Sequence, residues 1–412
     1  MSRIGRLTGW SPGPGGVDYE ARWDPGRLRA GRWDRARAAL AAAGLDAVLV
    51  WKDENVRYLT SMRPQLLAGK GGVLTGALFT RQGTSLLFVS GGDRDRAEAT
   101  MPWIAEFHTI PILEELGLVR HAAMEIIPNA LGRHGLKDGT IGLDLVGKLL
   151  MDFLAESCPR VRWVDGDAAM QTARRIKTSE ELALIEEATV IAEAVTATAA
   201  EHVREGVREC EVAGEALRTL CRLGGEYAHA ISPFVASGER MAPPTRLATD
   251  KVIREGDLVF IDIGAMCNGY FGDVGRTVVC GTPSPDQRRI YRAVWESLQA
   301  GIGVMRAGIA NIEVAEAIRA KAEEHGLGGR FLSLFIGHGI GCASNEPPYI
   351  GEAFPGAASV TLEPGMVFAL EPLIWMPGVP GGGGVRIEDM VVVTDAGARK
   401  ISRSPYCEAL LA

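Results

Sequence analysis

Five residues in the second half of the chain have metal-binding side chains and lie in short phrases suited to that role. The phrases are VFIDIGA, YFGDVGRT, IGHGIG, FALEP and VRIEDM, and the residues are Asp262, Asp273, His338, Glu371 and Glu388. Four carboxylates and one imidazole can hold two divalent cations around one water molecule and prepare it for attack on a substrate. Mostly-oxygen ligation with one histidine suits Mn, Co, Fe or Zn, and the sequence does not select among them. We therefore expect an enzyme with two divalent metal ions.

Two predicted hairpins bring the four acids together in opposed pairs. In an antiparallel hairpin, the residue numbers of each directly opposed pair add up to the same total. A turn in the phrase MCNG, with its Asn-Gly dipeptide, therefore places Asp262 opposite Asp273. The same arithmetic sets Glu371 against Glu388 across the turn-rich MPGVPGGGG. A single Asp in a hairpin is usually a turn or edge residue. Two opposed acid pairs on apolar strands have no good structural explanation, because burying like charges is expensive.

The surrounding elements indicate an α/β (α+β) chain of two domains, as its length of 412 residues predicts. Residues 1–30 are rich in Gly, Pro and Arg and are expected to form an extended arm. Residues 31–172 alternate helical stretches with the strand-like runs AVLVW, GALFT, SLLFVS and TIGLDL, which indicates a small α/β domain. Residues 173–412 begin with a capping box, Thr178 to Glu181, and a long helix, followed mostly by strands and turns.

Composition narrows the class of protein. The formal charge of −7 offers no basic stripe and argues against a nucleic-acid partner. The seven cysteines are scattered without a CxxC motif, which is typical of reduced thiols in a cytoplasmic protein. The first residues lack the apolar region of a secretory signal, and no run approaches the ~18 apolar residues that span a membrane. We expect a soluble, cytoplasmic protein.

The C-terminal domain resembles the pita-bread family of methionine aminopeptidases, prolidases, Xaa-Pro aminopeptidases and creatinase. The phrases GDLVFIDIGAMCNGYFGDVGRT, IGHGIG, LEPGMVFALEP and GVRIEDMVVVTDAG match that family's phrases in order, within residues 175–405. The N-terminal domain, with DENVRYLT, resembles the smaller domain of the prolidase and creatinase branch. The resemblance implies a homodimer in which each N-terminal domain helps to close its neighbour's active site. Arg57 and Tyr58, both in DENVRYLT, are the candidates to reach that site.

Two histidines that the family's peptidases use beside the metals are missing. One normally follows VASG by seven residues, where this chain has Thr245; the other lies seven residues after the ligand histidine, where it has Asn345. Such groups bind the substrate carbonyl or stabilise the tetrahedral intermediate, and removing one typically costs about 10²–10³ in rate. Asn345 still donates a hydrogen bond but does not change charge near neutral pH. His229, in EYAHAISPF, is a candidate replacement and equally a core or helix-end histidine.

The favoured function is a metallohydrolase that cleaves an amide-type C–N bond of a small molecule or short peptide. Whether this enzyme remains Xaa-Pro peptidase-like with other donors, or acts on a non-peptide substrate, stays open. A lyase is an alternative, because a dimethylsulfoniopropionate lyase of the same fold also lacks the second histidine, although it has a ligand Asp where this chain has Gly264. A metal-free interaction protein is a third. The catalytic candidates are Glu371, His338 and Asn345, and the substrate-binding candidates are Arg386, Thr245, His229, Arg57 and Tyr58.

Overall fold

The computed structural model describes residues 24–63, 74–226, 233–241, 247–331, 336–351 and 359–412. The chain divides into two compact units, Met1–Arg174 and Arg175–Ala412. The five candidate metal ligands all belong to the second unit. No helix within the described ranges is long and apolar enough to cross a membrane.

The first unit is built on a six-stranded sheet. Its strands are β1 (Ala47–Val50), β2 (Gly76–Thr80), β3 (Ser85–Val89), β4 (Glu106–Thr109), β5 (Thr140–Leu143) and β6 (Arg162–Asp165). Its helices are α1 (Pro25–Ala42), α2 (Asp53–Thr60), α3 (Gly91–Thr100), α4 (Leu116–His121), α5 (Ile127–Arg133), α6 (Lys148–Ser157) and α7 (Asp167–Arg175), with a π-helical turn, Ala122–Ile126, between α4 and α5. The strand order is β4-β3-β2-β1-β5-β6, and the sheet is mixed because β1 pairs antiparallel with β2 and parallel with β5.

The predicted strands of this unit are present as β1, β2, β3 and β5. The strands β4 and β6 were missed, because the short runs that form them do not alternate cleanly and are only half-buried. The extended arm predicted for residues 1–30 is wrong for its last part, since α1 already begins at Pro25. Asp24 caps that helix by accepting a hydrogen bond from the backbone N–H of Arg27 (3.0 Å). Residues 1–23 of the predicted arm lie outside the described residues.

The second unit combines long helices with three antiparallel sheets. Its helices are α8 (Ser179–Glu201), α9 (Glu209–Arg222), α10 (Pro285–Val304), α11 (Asn311–Glu324) and α12 (Glu408–Leu411). Its strands are β7 (Phe234–Ser237), β8 (Leu258–Cys267), β9 (Tyr270–Val279), β10 (Gly337–Gly339), β11 (Glu346–Ile350), β12 (Val367–Leu370), β13 (Leu373–Trp375), β14 (Gly384–Arg386), β15 (Asp389–Thr394) and β16 (Gly397–Lys400). The sheets run β7-β8-β9, β11-β10-β12-β15-β16 and β13-β14.

Local sequence explains how the central hairpin of this unit is formed and supported. Asn268 and Gly269 make a two-residue turn between β8 and β9 with φ of 46° and 81°, the conformation that an Asn-Gly dipeptide favours. The predicted capping box is present, with the Thr178 hydroxyl accepting from the Glu181 backbone (3.2 Å) at the start of α8. This helix packs closely on the hairpin at Gly272, where a Cβ would lie 2.3 Å from the backbone nitrogen of Thr189.

Candidate metal centre

The β8–β9 hairpin places Asp262 and Asp273 on the same face, but they are not directly opposed. Asp262 pairs with Gly275, and Asp273 pairs with Gly264. The predicted register was therefore wrong by two positions, because the turn is centred between Asn268 and Gly269, one residue later than the predicted centre. A shift of two keeps both side chains on one face of the hairpin. The two acids are diagonal neighbours.

The residue opposite Asp262 is a glycine because Glu388 lies against it. A Cβ at Gly275 would be 2.9 Å from Oε2 of Glu388 and 3.0 Å from its Cβ. The backbone N–H of Glu388 also donates to the Gly275 carbonyl (3.0 Å). The third acid therefore fits against the hairpin that carries the first two only because position 275 has no side chain.

The second acid pair has the predicted register. In the ladder of β12 with β15, Leu370 pairs with Asp389, and in the ladder of β13 with β14, Leu373 pairs with Arg386. In both pairs the two residue numbers add up to the same total as 371 and 388. Glu371 and Glu388 lie between the two ladders and therefore share this register. Glu371 is 4% exposed and Glu388 1% exposed, so both carboxylates are buried.

His338 lies on β10, beside β12, with its ring oriented like that of a metal-ligating histidine. Its Nδ1 is 3.0 Å from the Gly339 carbonyl oxygen, which assigns the ring proton to Nδ1. The other nitrogen, Nε2, then carries a lone pair and lies 3.3 Å from Oε1 of Glu371. Burial lowers the pKa of His338 to about 4, so the ring is neutral at neutral pH, as metal binding requires.

The ligand atoms converge on a small volume. Asp273, His338 and Glu388 each offer one ligand atom, and these three atoms lie within 4.8 Å of one another. Glu371 joins the group through its contact with His338, and Asp262 through its contact with Asp273. The structure thus brings together all five residues predicted as ligands.

This concentration of buried acids strongly perturbs their protonation. Burial, reinforced by the charges of Asp262 and Glu371, raises the pKa of Asp273 well above its ordinary value. Burial and the charge of Asp273 do the same to the pKa of Glu388. Burial also raises the pKa of Glu371, to about 7, against the opposing attraction of Arg386. In the absence of a cation, the cluster therefore resists full ionisation.

Arg386 is a cation built into the acid cluster. It is 8% exposed, and its guanidinium Nη1 lies 2.9 Å from Oε2 of Glu371 and 3.3 Å from Oδ2 of Asp262. Its guanidinium also lies 5.6 Å from the centre of the Phe260 ring. Arg386 was predicted to bind substrate, whereas these distances favour a role in orienting the carboxylates of Asp262 and Glu371.

The positive charge of Arg386 does not balance the negative charges of the four carboxylates. The carboxylate oxygens that remain without a partner show whether metal ions fit the cluster. Within the described ranges, Oδ1 of Asp273 and Oε2 of Glu388 are buried and have no hydrogen-bond partner. Buried carboxylate oxygens are normally hydrogen-bonded or bound to a cation, since leaving them unpaired is costly. The unpaired oxygens, the neutral imidazole and the donor types all fit divalent metal ions.

The remaining candidates differ in how well the structure supports them. Asn345 is exposed and directly precedes Glu346, which pairs with Gly339 beside the ligand histidine. Tyr58 is fully buried, and its hydroxyl donates to the Ala173 carbonyl (3.1 Å), while Arg57 is 6% exposed. Such burial fits a structural role in the first unit better than the predicted contact with a neighbouring subunit. His229 and Thr245 lie outside the described residues.

Sequence reasoning missed two buried cations near the centre. Lys177 forms an ion pair with Glu346 (2.9 Å) in which both side chains are 2% exposed, and this pair fixes the start of β11 beside Asn345. Arg276, on β9, is 3% exposed. The signal that could have identified Arg276 was a single basic residue in the strand-like run GDVGRTVV, whose only other charged residue is the candidate ligand Asp273.

Comparison with known proteins places this geometry in a family. The model of metallopeptidase family M24 matches residues 183–395, just over half of the chain, and that of the creatinase/prolidase N-terminal domain matches residues 32–176. The chain belongs to metallopeptidase family M24. This M24 enzyme is a metallohydrolase, and its predicted fold, a creatinase-like N-terminal domain followed by a pita-bread domain, is confirmed.

Relatives of this M24 enzyme share most of its length. An Xaa-Pro dipeptidase of Pyrococcus horikoshii is 30% identical over 363 residues, which cover 87% of this chain and 93% of that protein. An Xaa-Pro dipeptidase of Pyrococcus furiosus is 37% identical over 238 residues, which cover 58% of this chain and 66% of that protein. The solved structure of an Xaa-Pro dipeptidase from Bacillus anthracis has a TM-score of 0.76 and 27% identity, covering 92% of this chain and 98% of that one.

Gly275→Ala is expected to weaken metal binding, because its new Cβ would displace Glu388. The dissociation constant for Mn²⁺, measured by calorimetry, should rise by about 10–100-fold, as for changes beside other metal ligands. Gly214→Ala is the matched control, since Gly214 lies in α9 and a Cβ there meets nothing within 4 Å. Equal Mn²⁺ affinity in both variants would show that Glu388 does not need the space at position 275.

Proposed function

We propose that this M24 enzyme is a dinuclear-metal-dependent hydrolase that cleaves the amide bond of a small substrate, with Xaa-Pro dipeptides as the first candidates. The proposal is carried by the convergence of five metal-binding side chains, two of which have a buried carboxylate oxygen without a hydrogen-bond partner in the part of the chain that the structure describes. The names of the similar Xaa-Pro dipeptidases supply the substrate class. The loss of both peptidase histidines keeps a non-peptide amide as a second substrate class.

The proposed site divides its tasks among a few residues. Asp262, Asp273, His338, Glu371 and Glu388 would hold the metal ions. When bound, two such ions lower the pKa of a water molecule and neutralise charge on the substrate oxygen. Mn, Co, Fe and Zn all suit these ligands.

Glu371 is the group proposed to move the proton. Its carboxylate would accept a proton from the attacking water and donate it to the nitrogen of the breaking C–N bond. Arg386, 2.9 Å from Oε2 of Glu371, holds that carboxylate in place. Asn345, exposed beside the site, would donate a hydrogen bond to the substrate carbonyl oxygen, a weaker substitute for the histidine that the family's peptidases have there.

One position argues for hydrolysis over elimination. The lyase that this chain resembles in part carries an additional ligand Asp two residues after the first. The corresponding residue here is Gly264, which lies directly opposite Asp273 and has no side chain to offer. The absence of this Asp therefore favours hydrolysis over elimination.

The decisive experiment measures bond cleavage in isotopically labelled water. We expect the Mn²⁺- or Co²⁺-loaded protein to release free amino acid or amine from a panel of Xaa-Pro dipeptides and small amides. In H₂¹⁸O, hydrolysis places one ¹⁸O in the product carboxylate, whereas elimination places none. Glu371→Gln should lose this activity. A metal-loaded wild-type protein that cleaves nothing in the panel, or that cleaves without ¹⁸O, would contradict the proposal.

Two further properties belong to the proposal. The family resemblance supports a homodimer, which light scattering on the purified protein would test. The scattered cysteines support a cytoplasmic enzyme. Manganese is one of the metals that suit the proposed ligands, and metal analysis of protein purified without added metal would identify the ion.

A further inference from the structure

A buried guanidinium connects the strands that carry the metal ligands to the C-terminal end of the chain. Arg276 follows Asp273 by three positions on β9, so its side chain lies on the opposite face from that ligand. A guanidinium has five N–H donors, and all five have acceptors here. They are the carbonyl oxygens of Gly275 (2.8 Å), Glu388 (2.6 Å), Ser404 (2.8 Å) and Pro405 (3.0 Å) and Oδ1 of Asp389 (2.9 Å).

Asp389 extends this connection, and it directly follows the ligand Glu388. It is fully buried and pairs with Arg276. Its carboxylate also accepts a hydrogen bond from Nζ of Lys400 on β16 (3.3 Å) and shorter ones from two hydroxyl groups, those of Ser402 (2.8 Å) and Tyr406 (2.7 Å). Both hydroxyl groups belong to the C-terminal segment, residues 402–406.

The C-terminal segment therefore completes the hydrogen bonding of a buried ion pair behind the metal centre. Without it, Arg276 would lose two of its five acceptors, and Asp389 would lose two donors. Buried ion pairs are favourable only when their remaining hydrogen bonds are satisfied. The pair would then shift, and the backbone of Gly275 and Glu388, to which the guanidinium is bonded, would shift with it.

We propose that residues 402–406 are positioning residues of the metal centre, acting through Asp389 and Arg276 on the backbone of Glu388. They touch neither substrate nor metal. Their effect is to fix one ligand strand relative to the other, and so to set metal affinity. The inference rests on the proposed metal-dependent function, and it makes the end of the chain part of the active-site support.

Tyr406→Phe tests the inference, because it removes the hydroxyl that donates to Asp389 and keeps the ring. We expect the dissociation constant for Mn²⁺, measured by calorimetry on the full chain, to rise about tenfold, the lower end of the effect of residues that support metal ligands. Tyr291→Phe is the matched control. Its hydroxyl accepts from the backbone N–H of Cys407 (2.8 Å), so it holds the same end of the chain without contacting Asp389.

If the inference holds, Tyr406→Phe weakens Mn²⁺ binding, whereas Tyr291→Phe changes the dissociation constant for Mn²⁺ by less than twofold. This difference should remain even if both substitutions lower the melting temperature of the metal-free protein equally. If the affinity falls equally in both variants, or in neither, the inference is overturned and the proposed function stands. If the wild-type protein binds no Mn²⁺, the proposed function falls and the inference with it. Ser402→Ala, which removes the other hydroxyl that donates to Asp389, gives the same comparison should Tyr406→Phe not fold.

Discussion

Glu388→Gln is expected to abolish hydrolysis and to stabilise the metal-free protein. Glu388 is 1% exposed, and its Oε2 has no hydrogen-bond partner among the described residues. Without a cation, a negative charge on Glu388 would be buried close to that of Asp273, so the folded protein either bears this unfavourable charge or must bind a proton to remove it. The amide keeps the shape and removes the charge. The free energy of unfolding of the EDTA-treated protein should rise by about 1–3 kcal/mol, the cost typical of an unsatisfied buried group.

The stability gain should depend on pH, because burial raises the pKa of Glu388 above its ordinary value of 4.5. Above that value, the folded metal-free protein retains a proton that the unfolded chain has lost, so wild-type stability falls as pH rises. Below it, both states are protonated and the charge cost disappears. The difference between Glu388→Gln and the wild type should therefore be small near pH 4 and grow toward neutral pH, as measured by urea unfolding in EDTA.

Glu186→Gln is the matched control for this change. Glu186 lies on the surface, where its side chain is 43% exposed and pairs with Arg399. The same Glu-to-Gln substitution can therefore be made at an exposed position. Exposed ion pairs contribute about 0–1 kcal/mol, so this variant should keep both activity and stability. If Glu388→Gln proves less stable than the wild type in EDTA, the buried carboxylate is not under electrostatic strain, and the metal-site interpretation loses its main support.

The sequence predicted the ligands better than the geometry that joins them. Residue types and turn dipeptides selected five candidate ligands that the fold brings together, and they gave the register of Glu371 with Glu388. They misplaced Asp262 against Asp273 because the predicted turn was centred before Asn268, whereas Asn268 and Gly269 occupy the two central positions of the turn, as an Asn-Gly dipeptide favours. The packing of Glu388 against Gly275 fits the observed register, in which Gly275 lies opposite Asp262.

Contacts between distant segments were beyond sequence reasoning. Arg276 bonds to Ser404 and Pro405, more than a hundred residues away, and no periodicity or motif carries that information. The burial of Tyr58 was missed for a related reason. The resemblance of DENVRYLT to the smaller domain of the prolidase and creatinase branch made Tyr58 a candidate to reach a neighbour, but helix α2 turns this tyrosine toward Ala173 in its own unit.

Restoring the two missing histidines is expected to increase Xaa-Pro dipeptidase activity. The double variant Thr245→His with Asn345→His would return the donors that the family's peptidases have at these positions. Each such donor is typically worth about 10²–10³ in rate, so kcat/KM for an Xaa-Pro dipeptide should rise by at least that factor. A histidine also titrates near neutral pH, so the pH profile should gain a limb between about pH 6 and 7.

The structure supports position 345 as one where a histidine can act. The following residue, Glu346, is held by its buried ion pair with Lys177 and pairs with Gly339, the neighbour of the ligand His338. A side chain at position 345 therefore starts from a fixed backbone about one strand spacing, or ~5 Å, from the strand of the ligand histidine. Its exposure leaves room for a larger ring.

Asn345→Gln with Thr245→Asn is the control, because both changes add polar bulk without a titratable ring. The histidine variant should exceed it in kcat/KM, with Mn²⁺ affinity equal in both. An increase confined to the histidine variant would mean that the metal core retains peptidase chemistry and that the lost histidines limit it. If both variants cleave Xaa-Pro dipeptides as slowly as the wild type while binding metal normally, the pocket itself selects against dipeptides, and a non-peptide amide becomes the substrate class to pursue.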